Sequence, residues 1–160
     1  MIKLVAILIL LGVAGVMLFV RFTPSDPAQW HVDPRAVPKP STPNHWLIRP
    51  VGGDARPPEF RLETAVLARV IDQVISAQPR TQLVAGSVGS GHMTYLTRTP
   101  IMGYPDYVSI RVYTTETGSS FAALSRSRFG RSDLGANRAR MEGWLAAIAA
   151  AVREREAENG

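Results

Sequence analysis

The chain has 160 residues, a formal net charge of +5 and no cysteine. The lack of cysteine excludes disulfides, thiolate catalysis, cysteine-ligated zinc and a lipid-modified N-terminal cysteine. Arginine supplies nearly all the basicity, since Lys3 and Lys39 are the only lysines. Such a composition is more typical of a protein from a GC-rich genome than of a nucleic-acid-binding protein, so no nucleic-acid partner is predicted.

The first 22 residues predict a transmembrane signal anchor. After Lys3, residues 4–20 form an uncharged run of 17 residues, near the shortest length that spans a bilayer as a helix. The run lacks the polar stripe of a core helix, and bulky residues stand where a signal peptidase needs small ones. Basic residues flank it almost evenly. Because the N-terminal flank is so short, we expect it on the cytoplasmic side of a bacterial inner membrane. The chain after the anchor is then expected in the periplasm.

Prolines dominate the region after the anchor. Residues 23–42 are predicted to form a Pro-rich tether, because proline excludes helix and favours an extended, semi-rigid chain. The segment from residue 43 to 50 includes Trp46, Leu47 and Ile48 and is expected to dock on the folded domain. That domain is predicted to cover residues 43–156.

The domain is predicted to be α+β. Helical spacing of Leu62, Val66, Val70 and Val74 favours a helix that begins near Glu59 and ends before Pro79. Four strand-like runs follow, at residues 81–88, 92–99, 107–113 and 120–128, separated by Gly-rich turns. The third run alternates apolar and polar residues, which indicates an antiparallel sheet with one wet face. A last helix over residues 134–155 has an apolar stripe of Met141, Trp144, Leu145, Ile148 and Val152. The prediction is a two-layer domain with a four-stranded antiparallel sheet and two helices, after one transmembrane helix and the tether.

One long motif crosses from the fourth strand to the last helix. The sequence SRSRFGRSDLGANRAR, Ser125 to Arg140, resembles the signature of the domain of unknown function 1499 family, found in bacteria and plant plastids. Weaker matches are Gly103 to Asp106 and the Pro43–Asn44 pair. The resemblance implies that the family domain covers about residues 43–152, and it implies a fold but no mechanism.

Two interpretations of this motif stay open. In the structural one, Ser132 or Asp133 caps the last helix, Asp133 pairs with Arg128 or Arg140, and Asn137 is a partly buried polar group. In the functional one, the arginines exceed what a single aspartate neutralises, and together with a helix N-terminus they form a seat for phosphate, sulfate or a lipid head group. The predicted anion-binding residues are Arg126, Arg128, Asn137, Arg138 and Arg140.

The functional expectation is a membrane-anchored, non-enzymatic domain that binds an anionic lipid or another envelope component through these residues. The first alternative is an enzyme with a pocket beneath the motif, using Asp106 or Asp133. The second is a purely structural or assembly role. No metal or other cofactor is predicted, because His31, His45 and His92 are far apart and lack a spaced carboxylate or cysteine partner.

Overall fold

The computed structural model describes residues 1–24 and 26–158. In chain order, its elements are α1 (Ile2–Phe22), α2 (Pro27–Trp30), β1 (His45–Ile48), β2 (Glu59–Phe60), α3 (Thr64–Ser76), β3 (Thr81–Ser87), β4 (His92–Arg98), β5 (Pro105–Thr114), β6 (Ser119–Ser127) and α4 (Ala136–Glu158).

A single antiparallel sheet organises the domain. Its strand order is β1-β6-β5-β4-β3, and β2 also pairs with β6. The predicted α+β class and antiparallel sheet are confirmed, but the described chain has six strands rather than four. The additional strands are only four and two residues long. Such short segments show no clear alternation, and only their pairing with distant β6 makes them strands.

The core lies between the sheet and the helices α3 and α4. On β5, Val108, Ile110 and Val112 face this core. The apolar stripe predicted for the last helix is confirmed, since Met141, Trp144, Ile148 and Val152 are all buried there. Apolar periodicity therefore predicted the helix-covered side of the sheet correctly.

Two helix predictions need correction. The first domain helix begins at Thr64 and not near Glu59, because Glu59 and Phe60 pair with the start of β6 as β2. The Pro-rich segment is also not free of helix, since Pro27–Trp30 forms the single turn α2. Pro27 occupies the first helical position, where proline is tolerated, and Asp26 caps the turn by accepting a hydrogen bond from the backbone of Ala28.

The second face of the sheet is covered by residues 27–35, here called the covering segment. The Trp30 ring stacks on Tyr107 with centroids 4.2 Å apart, and Ser109 Oγ donates to the Trp30 carbonyl at 2.6 Å. Tyr107 and Ser109 are each only 1% exposed. The predicted wet face of β5 is therefore wrong at these positions. The alternation predicted the faces correctly, but it could not show that a segment about 80 residues earlier in the chain packs on the second one.

Two histidines meet where the covering segment packs on β4. The rings of His31 and His92 stack with centroids 3.7 Å apart. His31 Nδ1 lies 2.9 Å from Thr94 Oγ1, and His92 Nε2 lies 3.0 Å from the Val32 carbonyl oxygen. Burial lowers the pKa of His31, and the charges of His92 and Arg111 lower it further. The folded chain thus favours neutral His31.

Acidification is expected to destabilise this contact. The pKa of His31 is lower in the folded chain than its ordinary value of 6.5, so the unfolded chain binds more protons between these two values. The free energy of unfolding therefore falls as the pH drops below about 6.5. Urea unfolding at neutral pH and at about pH 5 measures this fall. A His31→Phe variant keeps a ring against His92 and should show a weaker pH dependence, whereas an unchanged dependence would contradict the assignment to His31.

The helix α1 leaves the domain at one end of the sheet. It is long and apolar enough to cross a membrane, and its 21 residues correspond to about 32 Å of helix. Its last turns contact the domain. Val20 is 4% exposed, and the rings of Phe19 and Phe129 are 6.4 Å apart. Arg128 Nη1 also donates to the Thr23 carbonyl at 3.3 Å. α1 therefore lies against the end of the domain where β6 ends.

Candidate functional site

The arginine motif begins at the end of β6 and ends in the first turns of α4. Asp133 accepts hydrogen bonds from the backbone N–H groups of Gly135 at 3.1 Å and Asn137 at 2.8 Å, and Ser132 Oγ accepts one from Leu134 at 3.3 Å. Burial by itself raises the pKa of Asp133, but the backbone hydrogen bonds from Asn137 and Gly135 lower it below its ordinary value overall. Asp133 thus carries a negative charge at the positive end of α4.

Asn137 lies at the centre of a buried polar cluster. It is fully buried rather than partly buried. Its Nδ2 lies 3.0 Å from the Asn44 carbonyl oxygen, 3.0 Å from Ser127 Oγ and 2.6 Å from Asp133 Oδ2. Its Oδ1 accepts from Ser125 Oγ and from Arg140 Nη1. This side chain therefore joins β6, α4 and the segment before β1.

Arg140 completes this cluster, but with a different partner from the predicted one. Its Nη2 pairs with Asp106 Oδ2, while its Nη1 donates to Ser125 Oγ at 3.0 Å and to Asn137 Oδ1 at 2.8 Å. The side chains of Arg140 and Asp106 are 14% and 3% exposed. We call the set of Asp106, Ser125, Ser127, Asp133, Asn137 and Arg140 the Arg140 network. The proposed Asp133 pairing for Arg140 is wrong, because Asp106 at the start of β5 points to the helix face and reaches α4 first.

Arg126 lies on the opposite face of β6, and Arg128 follows directly after the last residue of the strand. Side chains alternate along a strand, so Arg126 lies on the face that the covering segment occupies. The Arg126 guanidinium lies 4.7 Å from the Trp30 ring centroid and donates to the carbonyl groups of Gln29 and Trp30. Burial lowers the pKa of Arg126. Arg128 lies over the Phe129 ring at 5.0 Å and reaches the Thr23 carbonyl.

Arg138 occupies a third position, on the exposed side of α4. It pairs with Glu142 one turn later at 2.8 Å and lies 5.1 Å from the Trp46 ring centroid. The five predicted anion-binding side chains therefore do not converge on one pocket. Asn137 and Arg140 meet inside the domain, Arg126 lies on the other face of the sheet, Arg128 lies next to the end of α1, and Arg138 lies at the surface. Whether any of them binds an anion stays a prediction.

A cavity of about 530 Å³ lies between α1 and the loop that connects β6 to α4. We call it the α1 cavity. Its volume falls within the usual range for small-molecule sites. One wall is apolar and the other carries hydroxyl and carboxylate groups; the lining residues are Val16, Phe19, Val20, Thr99, Tyr104, Asp106, Ser127, Phe129, Gly130, Ser132, Asp133, Leu134 and Ala136.

The two carboxylates in this cavity already have internal partners. Asp106 pairs with Arg140, and Asp133 caps α4. Neither is a free general base in this arrangement. Among the described residues there is also no group of three or more His, Asp or Glu side chains that could hold a metal ion.

Sequence reasoning did not predict the α1 cavity. It grouped the arginines by their closeness in sequence, whereas the cavity is lined by α1, by the loop before β5 and by the apolar residues Phe129 and Leu134 of the motif. The sequence suggested a role for Asp106 only in the enzyme alternative. Asp106 on β5 lies opposite Ser127 on β6, and this pairing would have placed Asp106 beside the motif. The sequence alone does not give the pairing of the two strands.

Fold and site together define a class: an α+β domain with one antiparallel sheet, two helices on one face, a docked N-terminal segment on the other, and a polar network at the start of the last helix. The chain belongs to the family described as protein of unknown function (DUF1499), whose model matches residues 28–148. The match begins within the Pro-rich segment, at the covering segment. No curated protein and no solved structure matches the chain.

Proposed function

We propose that this protein is a membrane-anchored envelope protein that binds an anionic amphiphile in the α1 cavity without transforming it. The observation that supports this most is the position of the cavity. A helix apolar enough to cross a bilayer supplies one wall through Val16, Phe19 and Val20, and the arginine motif supplies the other. A ligand there can place its apolar chain beside α1 and its polar group beside the motif.

The chemistry of the two walls supports an amphiphile over a small polar ion. Phe129 and Leu134 extend the apolar surface of α1, while Ser127, Ser132 and Thr99 offer hydroxyl groups. Arg128 and Arg131 each stand between cavity-lining residues in the sequence, so two positive charges lie in the loop that forms this wall. The network carboxylates are neutralised by Arg140 and by α4, so they repel an anion less than free carboxylates would.

The orientation with the N-terminus inside and the domain in the periplasm of a bacterial inner membrane belongs to the same proposal. The orientation rests on the very short N-terminal flank of α1, and an uncleaved anchor on the bulky residues that stand where a signal peptidase needs small ones. Val20 and Phe19 pack on domain residues, so loss of α1 by cleavage would remove one wall of the cavity.

The experiment is native mass spectrometry of the full-length protein in detergent, with added phosphatidylglycerol as the anionic probe and phosphatidylcholine as the neutral one. We expect bound phosphatidylglycerol in excess of phosphatidylcholine. Ala136→Trp, which projects a ring into the cavity from its lining, should lower the bound fraction several-fold. Ala139→Trp is the matched control, because Ala139 is an exposed alanine one turn later on the same helix. Equal lipid binding by both variants would refute the proposal.

The enzyme alternative uses the same cavity. It is supported by Asp106 and Asp133, which both line the polar wall of the cavity. An enzyme would need one of them released from its partner when substrate binds. Chemical change of a bound lipid by the wild-type protein, lost in Asp106→Asn with lipid binding retained, would replace the binding proposal with this one.

A further inference from the structure

The end of the domain next to α1 carries exposed apolar side chains and a concentration of arginines. We propose that this end, here called the α1 end, rests on an anionic bilayer surface and inserts the tips of two loops into it. The loops are residues 99–104, between β4 and β5, and residues 128–135, between β6 and α4. The inference rests on the proposed membrane anchoring by α1, and it assigns a second contact to the bilayer.

The first observation is the exposure of two loop residues. Leu134 is 98% exposed and Ile101 is 83% exposed. Leu134 also has a φ of 53°, a conformation that a branched side chain rarely adopts. Its backbone is held there by the cap of α4, and its side chain gains no burial within the domain in return. A leucine presented in this way suits an apolar environment outside the chain.

The second observation is the depth of these loops relative to α1. Leu134 and Val16 line the same cavity. Val16 lies six residues before Phe22, the last residue of α1, and this separation is about 9 Å along the helix axis. If α1 spans the bilayer, the loop that carries Leu134 lies beside a part of the helix within the membrane boundary. The loop tip then meets lipid and not bulk water.

The third observation is charge. The register of the sheet places the start of β3, the end of β4, the start of β5 and the end of β6 at this same end. The arginines in or beside these positions are Arg21, Arg80, Arg98, Arg128 and Arg131. The Arg21 guanidinium lies against Gly103, and Arg98 donates to the Gly103 carbonyl at 2.9 Å. The carbonyl oxygens that accept hydrogen bonds from Arg80 and Arg98 do not neutralise their charges.

The carboxylates at the same end do not cancel this charge. Asp106 is paired with Arg140 inside the domain, and Asp133 is held at the positive end of α4. Several arginines next to a membrane-spanning helix favour anionic lipid head groups, and Tyr104 beside Phe129 adds aromatic rings of the kind enriched at the interface. Continuity with α1 selects the bilayer over a protein partner, because the anchor enters the membrane at this surface.

The test uses the absence of native cysteine in the chain. Single-cysteine variants Leu134→Cys and Ile101→Cys are spin-labelled in the full-length protein, which is placed in nanodiscs of equal parts phosphatidylglycerol and phosphatidylcholine. Val51→Cys is the matched control, since Val51 is 83% exposed like Ile101 but lies beyond β1 at the opposite end of the sheet. Label accessibility to oxygen, which partitions into lipid, is compared with accessibility to a water-soluble nickel chelate.

We expect lipid-like accessibility at Leu134 and Ile101 and water-like accessibility at Val51. In nanodiscs of phosphatidylcholine alone, the labels at Leu134 and Ile101 should become more accessible to the nickel chelate, because the arginines lose their anionic partners. Water-like accessibility at both loop positions in the anionic nanodiscs, equal to that at Val51, would overturn the proposal.

Further variants separate this proposal from the proposed function. A label at Leu10→Cys, in the middle of α1, reports whether the helix spans the bilayer at all. Ile101 does not line the α1 cavity, so Ile101→Ser should weaken loop insertion, seen at the Leu134 label, without changing lipid occupancy in native mass spectrometry. Ala136→Trp should lower the lipid occupancy without weakening loop insertion. If the loop labels show lipid-like accessibility but the cavity binds no lipid, the contact of the α1 end with the bilayer is supported and the proposed function is refuted.

Discussion

Arg140→Ala is expected to lower the free energy of unfolding by about 3–5 kcal/mol, the usual penalty for leaving one partner of a buried ion pair without the other. The substitution leaves Asp106, which is 3% exposed, without its cation. It also removes a donor to Ser125 Oγ and to Asn137 Oδ1. Chemical denaturation of the full-length protein in detergent, followed by tryptophan fluorescence, measures the change.

Arg138→Ala is the matched control for this experiment. It removes an arginine–carboxylate pair from the same helix, two residues away, but this pair is exposed, with side-chain exposures of 61% and 54%. Exposed pairs of this spacing contribute about 0.3–0.5 kcal/mol. A similar loss in both variants would show that burial does not decide the strength of the Arg140 pair. A double variant, Asp106→Leu with Arg140→Met, should recover much of the stability, because no charge is then left buried.

Asn137→Leu is expected to destabilise the domain by roughly 3 kcal/mol or more, because each buried polar group left without a partner costs about 1–3 kcal/mol. Leucine has the same number of side-chain heavy atoms with the same branching, so the substitution leaves no cavity and the loss reports mainly hydrogen bonding. The groups that lose a partner include the Asn44 carbonyl, Ser127 Oγ and the guanidinium of Arg140. The same denaturation measurement tests this prediction.

Ser127→Ala provides the comparison for Asn137→Leu. Ser127 contributes one hydroxyl to the network, through its contact with Asn137 Nδ2, so its removal should cost about 1 kcal/mol. If Asn137→Leu cost no more than Ser127→Ala, the network would not join β6 to α4 as described. Ser127 also lines the α1 cavity. Lipid binding by the Ser127→Ala variant therefore shows whether the network and the cavity are coupled.

These experiments also separate the two interpretations of the arginine motif. If the motif served only as a strand-to-helix clasp, Arg140 and Asn137 variants would lose stability, and Ala136→Trp would have no functional consequence. If it also forms a binding wall, Ala136→Trp should lose lipid while remaining as stable as Ala139→Trp. The contribution of the motif to stability and its contribution to lipid binding can thus be tested separately.

The sequence by itself determined the elements with strong local signals. The apolar run of α1, the stripe of Met141, Trp144, Ile148 and Val152 on α4, and the alternation in β5 all depend on residue spacing within one element. The motif from Ser125 to Arg140 was also sufficient to indicate the family. The elements follow from residue spacing and the family from residue identity, and neither needs information from elsewhere in the chain.

Tertiary structure alone decided where the charged groups meet. The four arginines and one asparagine that stand together in the prediction are separated in the structure. Arg126 lies against the covering segment and Arg128 against Thr23, whereas Asn137, Arg138 and Arg140 lie on different sides of α4, because side chains rotate around a helix. The partner of Arg140 is Asp106, 34 residues earlier, and the partner of Arg126 is the covering segment, almost 100 residues earlier. Strand register and the docking of the Pro-rich segment set these distances, and no local pattern encodes either of them.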